Sequence, residues 1–203
     1  MRTIGALVFD GFELLDLYGP LEMFALLEDD FRMEIVGESR EVASGAGPRA
    51  LADKLIATAG PYDILLIPGG LGVRRELSNT RLIDWIGAEA ERARTVATVC
   101  TGAALLARTG HLDGRRATSN KAAFDWVKAQ GPRVNWVAKA RWVADGKYFT
   151  ASGVSAGIDM SLALIETMLG PAKARDAANW AEYNRQNDPG TDPFADLYGL
   201  SDT

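Results

Sequence analysis

Thr95-Val96-Ala97-Thr98-Val99-Cys100-Thr101-Gly102 decides how this chain folds. Its first five residues are β-branched or small and apolar, the composition of a buried strand. Residues 102–108, Gly-Ala-Ala-Leu-Leu-Ala-Arg, are rich in good helix formers and read as a short helix. Only Cys100 and Thr101 separate the two elements, so strand passes into helix through a tight turn. Upstream, Asp63-Ile64-Leu65-Leu66-Ile67 is another continuous apolar strand, ending in Pro68-Gly69-Gly70.

The same alternation extends to both ends of the chain. Residues 4–10 and 33–36 read as strands, and 82–93 as an amphipathic helix. A helix over 21–27 is expected to begin at Pro20, whose fixed φ suits a first turn. Residues 44–48 form a loop or hairpin, and 134–151 alternate around Asp145-Gly146, a strong hairpin signature. Helices over 155–169 and 172–185 flank Gly170-Pro171, and the tail from Asn187 is expected to be irregular. Strands alternating with helices imply an α/β fold with a mostly parallel sheet. No repeat, low-complexity tract or linker divides the 203 residues, so one domain is expected, burying roughly 70% of its surface.

Composition narrows the chemistry. The net charge of −5 lacks the clustered basic surface that phosphate binding needs, so no nucleic-acid partner is expected. No apolar run approaches membrane-spanning length and no signal peptide precedes the first strand, which points to the cytoplasm and to no membrane partner. One cysteine excludes an intrachain disulfide and a cysteine-based zinc cluster. One histidine, His111, excludes two-histidine metal motifs, so no metal site is expected. His111 itself reads as a surface or loop residue.

In open α/β sheets, sites form at the carboxyl ends of strands, and three such ends here carry unusual residues. Cys100 at the turn matches the mechanical logic of a nucleophile elbow. There a helix N-terminus is expected to lower its pKa; the other reading is a small buried hydrophobe. Gly69 and Gly70 would let backbone N–H groups reach a substrate and, with the Thr101 N–H, form an oxyanion pocket; a simple turn is the alternative. Asp16, amid Leu14, Leu15 and Leu17, is a carboxyl in apolar surroundings whose pKa would rise to suit proton transfer near neutrality. On the residues alone, a helix cap or loop acid is the simpler reading. Asp159 reads as structural, bonding a cap or loop backbone. Trp85, Trp126 and Trp180 read as packing anchors, with Trp136 and Trp142 flanking the hairpin.

Together these segments resemble the ThiJ/PfpI superfamily, most closely its isocyanide hydratase branch. The matching motifs are Asp10-Gly11-Phe12-Glu13-Leu14-Leu15-Asp16-Leu17-Tyr18-Gly19-Pro20, Ile67-Pro68-Gly69-Gly70, Val99-Cys100-Thr101-Gly102, Leu112-Asp113-Gly114-Arg115-Arg116-Ala117-Thr118 and Gly153-Val154-Ser155-Ala156-Gly157-Ile158-Asp159, in that order. The resemblance implies a flavodoxin-like three-layer α/β/α sandwich. It also implies a cofactor-free hydratase that converts a small electrophilic isocyanide and water into an N-formamide. Cys100 would be the nucleophile, Asp16 its acid/base partner and Thr101 the neighbouring hydroxyl. Gly69, Gly70, Thr101, Asn120 and Val154 would bind substrate, and the chain would form a homodimer. The sequence departs from the branch at Ser119-Asn120-Lys121-Ala122-Ala123-Phe124, where a histidine and tryptophan are common, so the pocket wall differs.

Two further readings stand beside this one. Related domains sense ligands at the N-terminus of AraC-type regulators, although only a short tail follows the last expected helix here. An accessible low-pKa Cys100 would also suit oxidant sensing through reversible oxidation. Another small electrophile, such as a nitrile or dicarbonyl, is a variant of the enzymatic reading.

Overall fold

The computed structural model describes residues 1–200. In chain order the first half comprises β1 (Arg2–Leu7), α1 (Leu14–Ala25), β2 (Phe31–Gly37), β3 (Glu41–Ala43), β4 (Arg49–Leu51), β5 (Lys54–Leu55), β6 (Ile64–Ile67), α2 (Val73–Glu76) and α3 (Thr80–Arg92). The second half comprises β7 (Thr95–Val99), α4 (Gly102–Arg108), β8 (Arg116–Ala117), α5 (Phe124–Gln130), β9 (Asn135–Trp136), β10 (Trp142–Asp145), β11 (Tyr148–Ala151), α6 (Ala156–Leu169), α7 (Pro171–Trp180) and α8 (Pro193–Leu197).

Seven strands form the central sheet in the order β10-β11-β7-β6-β1-β2-β5. All neighbours run parallel except the β10–β11 hairpin at one edge. Every residue of β6 and β7 is buried, as expected where helices cover both faces. Helices α1, α6 and α7 pack together as one layer, and α2, α3, α4 and α5 form contacts in the other. This is the flavodoxin-like three-layer α/β/α sandwich expected from the sequence. Among the described residues, no helix is long and apolar enough to cross a membrane.

Several local expectations need correction. The first helix starts at Leu14, six residues before Pro20, which lies inside it. Leu14, Leu17, Leu21 and Phe24 recur at helical spacing and pack on the core, and that periodicity overrides the missing N–H of Pro20. The hairpin occupies only 142–151; upstream, Asn135 and Trp136 pair in parallel with Arg116 and Ala117. Residues 44–48 do connect a small hairpin, β3–β4. The tail is not wholly irregular, because Asp192 caps a short helix by accepting the Phe194 N–H at 3.1 Å, with Pro193 in the first turn. Trp180 is no packing anchor: it is 79% exposed.

Candidate active site

β7 delivers Cys100 to the carboxyl edge of the sheet, between β6 and β11. Cys100 has φ +58°, a left-handed conformation that an L side chain rarely adopts. The surroundings hold it there from both sides. Its N–H donates to the carbonyls of Ala151 (3.2 Å) and Ser152 (3.0 Å), and its own carbonyl accepts the Ser119 hydroxyl at 2.7 Å. Gly102 makes the sharp turn possible, since a Cβ there would stand 2.5 Å from the Ile67 carbonyl oxygen. Such strain at a chemically capable side chain is characteristic of functional sites. It predicts that Cys100→Gly will be more stable than Cys100→Ala by about 1 kcal/mol, because only glycine adopts positive φ freely. Denaturant unfolding of the two variants measures this; equal stabilities would mean that the turn is relaxed.

Asp16, in the first turn of α1, is fully buried beneath the cysteine. Its Oδ2 accepts the Gly69 N–H at 2.9 Å, while Oδ1 is buried without a well-aligned partner. The Cys100 thiol is the side chain within reach of this carboxyl. Burial raises the Asp16 pKa to about 7, and the charge of Glu13 adds to the rise, against the opposing pull of the Gly69 N–H. The sequence reading of a raised Asp16 therefore agrees with the structure.

For Cys100 the direction is the reverse of that expected. Burial, followed by the negative charge of Asp16, pushes the thiol well above its ordinary value. The backbone N–H groups of Thr101 and Val154 point at the sulfur and work the other way, but they do not offset desolvation. Helix α4 is only seven residues long, which limits its dipole. Thiol and carboxyl thus form one buried acid pair, whose protons belong to the pair.

The two glycines are held differently from one another. Gly69 N–H is taken by Asp16, and Gly70 N–H donates to the Thr101 hydroxyl at 3.0 Å. A Cβ at Gly69 would stand 2.6 Å from the Thr101 nitrogen and hydroxyl and 2.9 Å from Asp16 Oδ2. Both N–H groups therefore organise the site from within, and the donors aimed at the Cys100 sulfur are those of Thr101 and Val154. Val154 also has positive φ, +29°, which accompanies the orientation of its N–H toward Cys100.

A cavity of about 270 Å³ opens above the sulfur. Cys100, Thr101, Gly70, Asn120 and Val154 line it; Asp16 and Gly69 lie beneath them. Asn120 holds the turn into α5 by accepting the Ala123 N–H at 3.0 Å. Sequence reasoning missed Glu13, Leu71, Arg74 and Trp126 in the same wall. The Arg74 guanidinium lies 4.3 Å from the Trp126 ring centroid, a cation–π contact joining segments far apart in sequence. A larger cavity, about 400 Å³, lies beside Glu38 and Glu76, where Asn79 donates to both carboxylates and Arg75 pairs with Glu76. It holds none of the strained or orphaned groups around Cys100.

His111 lies in a loop outside these walls, with ring nitrogens 3.1 Å from the Tyr148 hydroxyl and 3.0 Å from the Gly87 carbonyl. Asp159 is structural as expected: it pairs with Arg141 at 2.7 Å and accepts the Gln186 N–H at 2.9 Å.

A parallel α/β sandwich with a cysteine at a strand-to-helix elbow, over a buried carboxyl, defines a recognisable class of protein. Residues 2–167 match the DJ-1/PfpI family, and the chain belongs to it. It is 33% identical over 180 residues to the isonitrile hydratase of Pseudomonas putida, covering 89% of this chain and 78% of that protein. It is also 28% identical over 170 residues to the HTH-type transcriptional regulator GbdR of Pseudomonas aeruginosa, covering 81% of this chain but 46% of the regulator. Among solved structures, a ThiJ/PfpI family protein from Pseudomonas syringae superposes with a TM-score of 0.84 at 29% identity, covering 91% of this chain and 76% of that one.

Proposed function

We propose that this protein is a cysteine-dependent hydratase that converts isocyanides into N-formamides. The observation that carries this reading is the buried pair itself: a nucleophile on a strained elbow against a carboxyl whose pKa is about 7. Such a carboxyl can give and take a proton near neutrality. The likeness to an isonitrile hydratase supports the choice of substrate class.

In the proposed reaction the Asp16 carboxylate takes the Cys100 thiol proton as the sulfur attacks the terminal isocyanide carbon, forming a C–S bond, and then delivers that proton to the carbon. The product is a thioimidate on Cys100. Water then adds across the C=N bond, its oxygen to carbon and a proton to nitrogen. Collapse of the adduct breaks the C–S bond, and the hydroxyl proton returns through Asp16 to the departing sulfur. Isocyanide and water are consumed, formamide is released, and both side chains regain their starting state. The N–H groups of Thr101 and Val154 favour the thiolate at the start and at departure.

Mixing reduced protein with an aromatic isocyanide and following the formamide by chromatography tests the reading. Turnover dependent on Cys100 is the expected result; its absence in protein whose Cys100 is reduced would refute it. A ligand-sensing role is the second reading, favoured by the match to GbdR. Binding of a small molecule without turnover would select it. We also propose a homodimer, with the exposed Leu15 and Tyr18 of α1 at the contact; sedimentation velocity reads its mass.

A further inference from the structure

We propose that residues 186–200 form the second wall of the substrate pocket, and that Phe194 and Tyr198 receive an apolar, ring-sized substituent of the electrophile. This assignment rests on Cys100 being the attacking group.

The segment is fastened to the domain at three separate places. Gln186 N–H donates to the buried Asp159 carboxylate, and the Arg141 N–H donates to the Pro189 carbonyl at 2.8 Å. Beyond them Asp192, at the start of α8, faces Lys121 at 3.9 Å, with side chains only 1% and 2% exposed. Lys121 is itself held by the Thr118 hydroxyl (2.8 Å) and the Ala140 carbonyl (2.7 Å). A solvated tail does not bury an ion pair, because desolvation of both charges must be offset by fixed partners.

This fastening sets the Phe194 and Tyr198 rings over a cavity of about 230 Å³. Asn120, Ala122 and Val154 line this cavity and also line the cavity above Cys100. Val154 therefore stands between the two spaces, its N–H toward the sulfur. Phe194 and Tyr198 are about half exposed although the backbone around them is anchored. Anchored, half-covered rings that border reactive space fit an apolar occupant better than water. A group attached to a carbon bonded to Cys100 and passing over Val154 would meet them.

The test compares alkylation of Cys100 by iodoacetamide and by N-phenyl iodoacetamide, read by intact mass, in wild type, Phe194→Ala and Tyr198→Ala. The shared reactive group cancels differences in thiolate formation, so the ratio of rates reports the ring subsite alone. The phenyl reagent is expected to react about tenfold faster in wild type, with the preference falling severalfold in each variant. A wild-type ratio near one, a ratio unchanged by both substitutions, or failure of the phenyl reagent to label Cys100 would overturn the assignment. The readout needs no turnover, so it is independent of whether isocyanides are hydrated.

Discussion

Cys100→Ala is expected to reduce isocyanide hydration to the rate in buffer while leaving the fold intact. The alanine keeps the small volume at the elbow and every backbone hydrogen bond that fixes it, namely those to Ala151, Ser152 and Ser119. What is lost is the sulfur, and with it the only covalent route by which the proposed scheme forms a thioimidate. Cys100→Ser is the stricter control. It keeps a hydroxyl at the same place, but an alcohol in this buried setting ionises far less readily than a thiol. Both variants should therefore be inactive by the formamide assay, with circular dichroism matching wild type. Residual turnover in either would move the chemistry to another group.

Asp16→Asn separates catalysis from stability. The amide fits the same space and can still accept the Gly69 N–H, yet it cannot transfer a proton. Turnover is expected to fall by about 10²- to 10⁴-fold, the usual contribution of a positioned acid/base. Stability should move the other way. Folding raises the Asp16 pKa from its ordinary value of 3.8 to about 7, so the folded state holds on to a proton that the unfolded chain releases. The stability linked to that proton is full below about pH 4 and is lost as pH rises through 7. For a wholly buried carboxyl this amounts to roughly 4 kcal/mol. Asparagine has no such proton to lose, so the variant should gain on wild type between pH 4 and pH 8, as read from denaturant midpoints across that range. Parallel pH curves for the two proteins would show that Asp16 is an ordinary carboxylate. Alkylation of wild-type Cys100 should also climb through pH 7 as the pair gives up its first proton, a step absent from Asp16→Asn.

Much of this was legible in the sequence because the informative signals were local. The boundaries of β7 and α4 follow from Thr95–Val99 and Gly102–Arg108 directly, since strand and helix formers meet there without a loop. Pro20 misled because its preference for a first turn is also local, whereas the face from Leu14 to Phe24 is defined only by the core it packs against. The Asp192-Pro193 pair carried a cap signature, but a five-residue helix leaves too short a periodicity to register.

The site divides in the same way. Cys100, Thr101, Gly70, Asn120 and Val154 were all named from sequence, and all line one cavity. Arg74 and Trp126 were not, because nothing in either segment indicates that they stack across the opening. The direction of the thiol's pKa was misjudged because a helix N-terminus is visible in sequence, whereas 7% exposure and a facing carboxyl are not.

The clasp between Asp16, Gly69, Gly70 and Thr101 has a bearing on how such a pocket can diversify. A side chain added at Gly69 collides with Asp16 and Thr101 at once, and one added at Gly70 meets the backbone of Gly11, Phe12 and Glu13. Leu71, at 80% exposure, and the half-exposed Phe194 and Tyr198 carry no such obligation. Selection for a new substrate, in nature or in a mutant library, has an invariant floor beneath it and an interchangeable rim above. Randomising the rim while sparing the floor would test new specificities with Cys100 and Asp16 left in place.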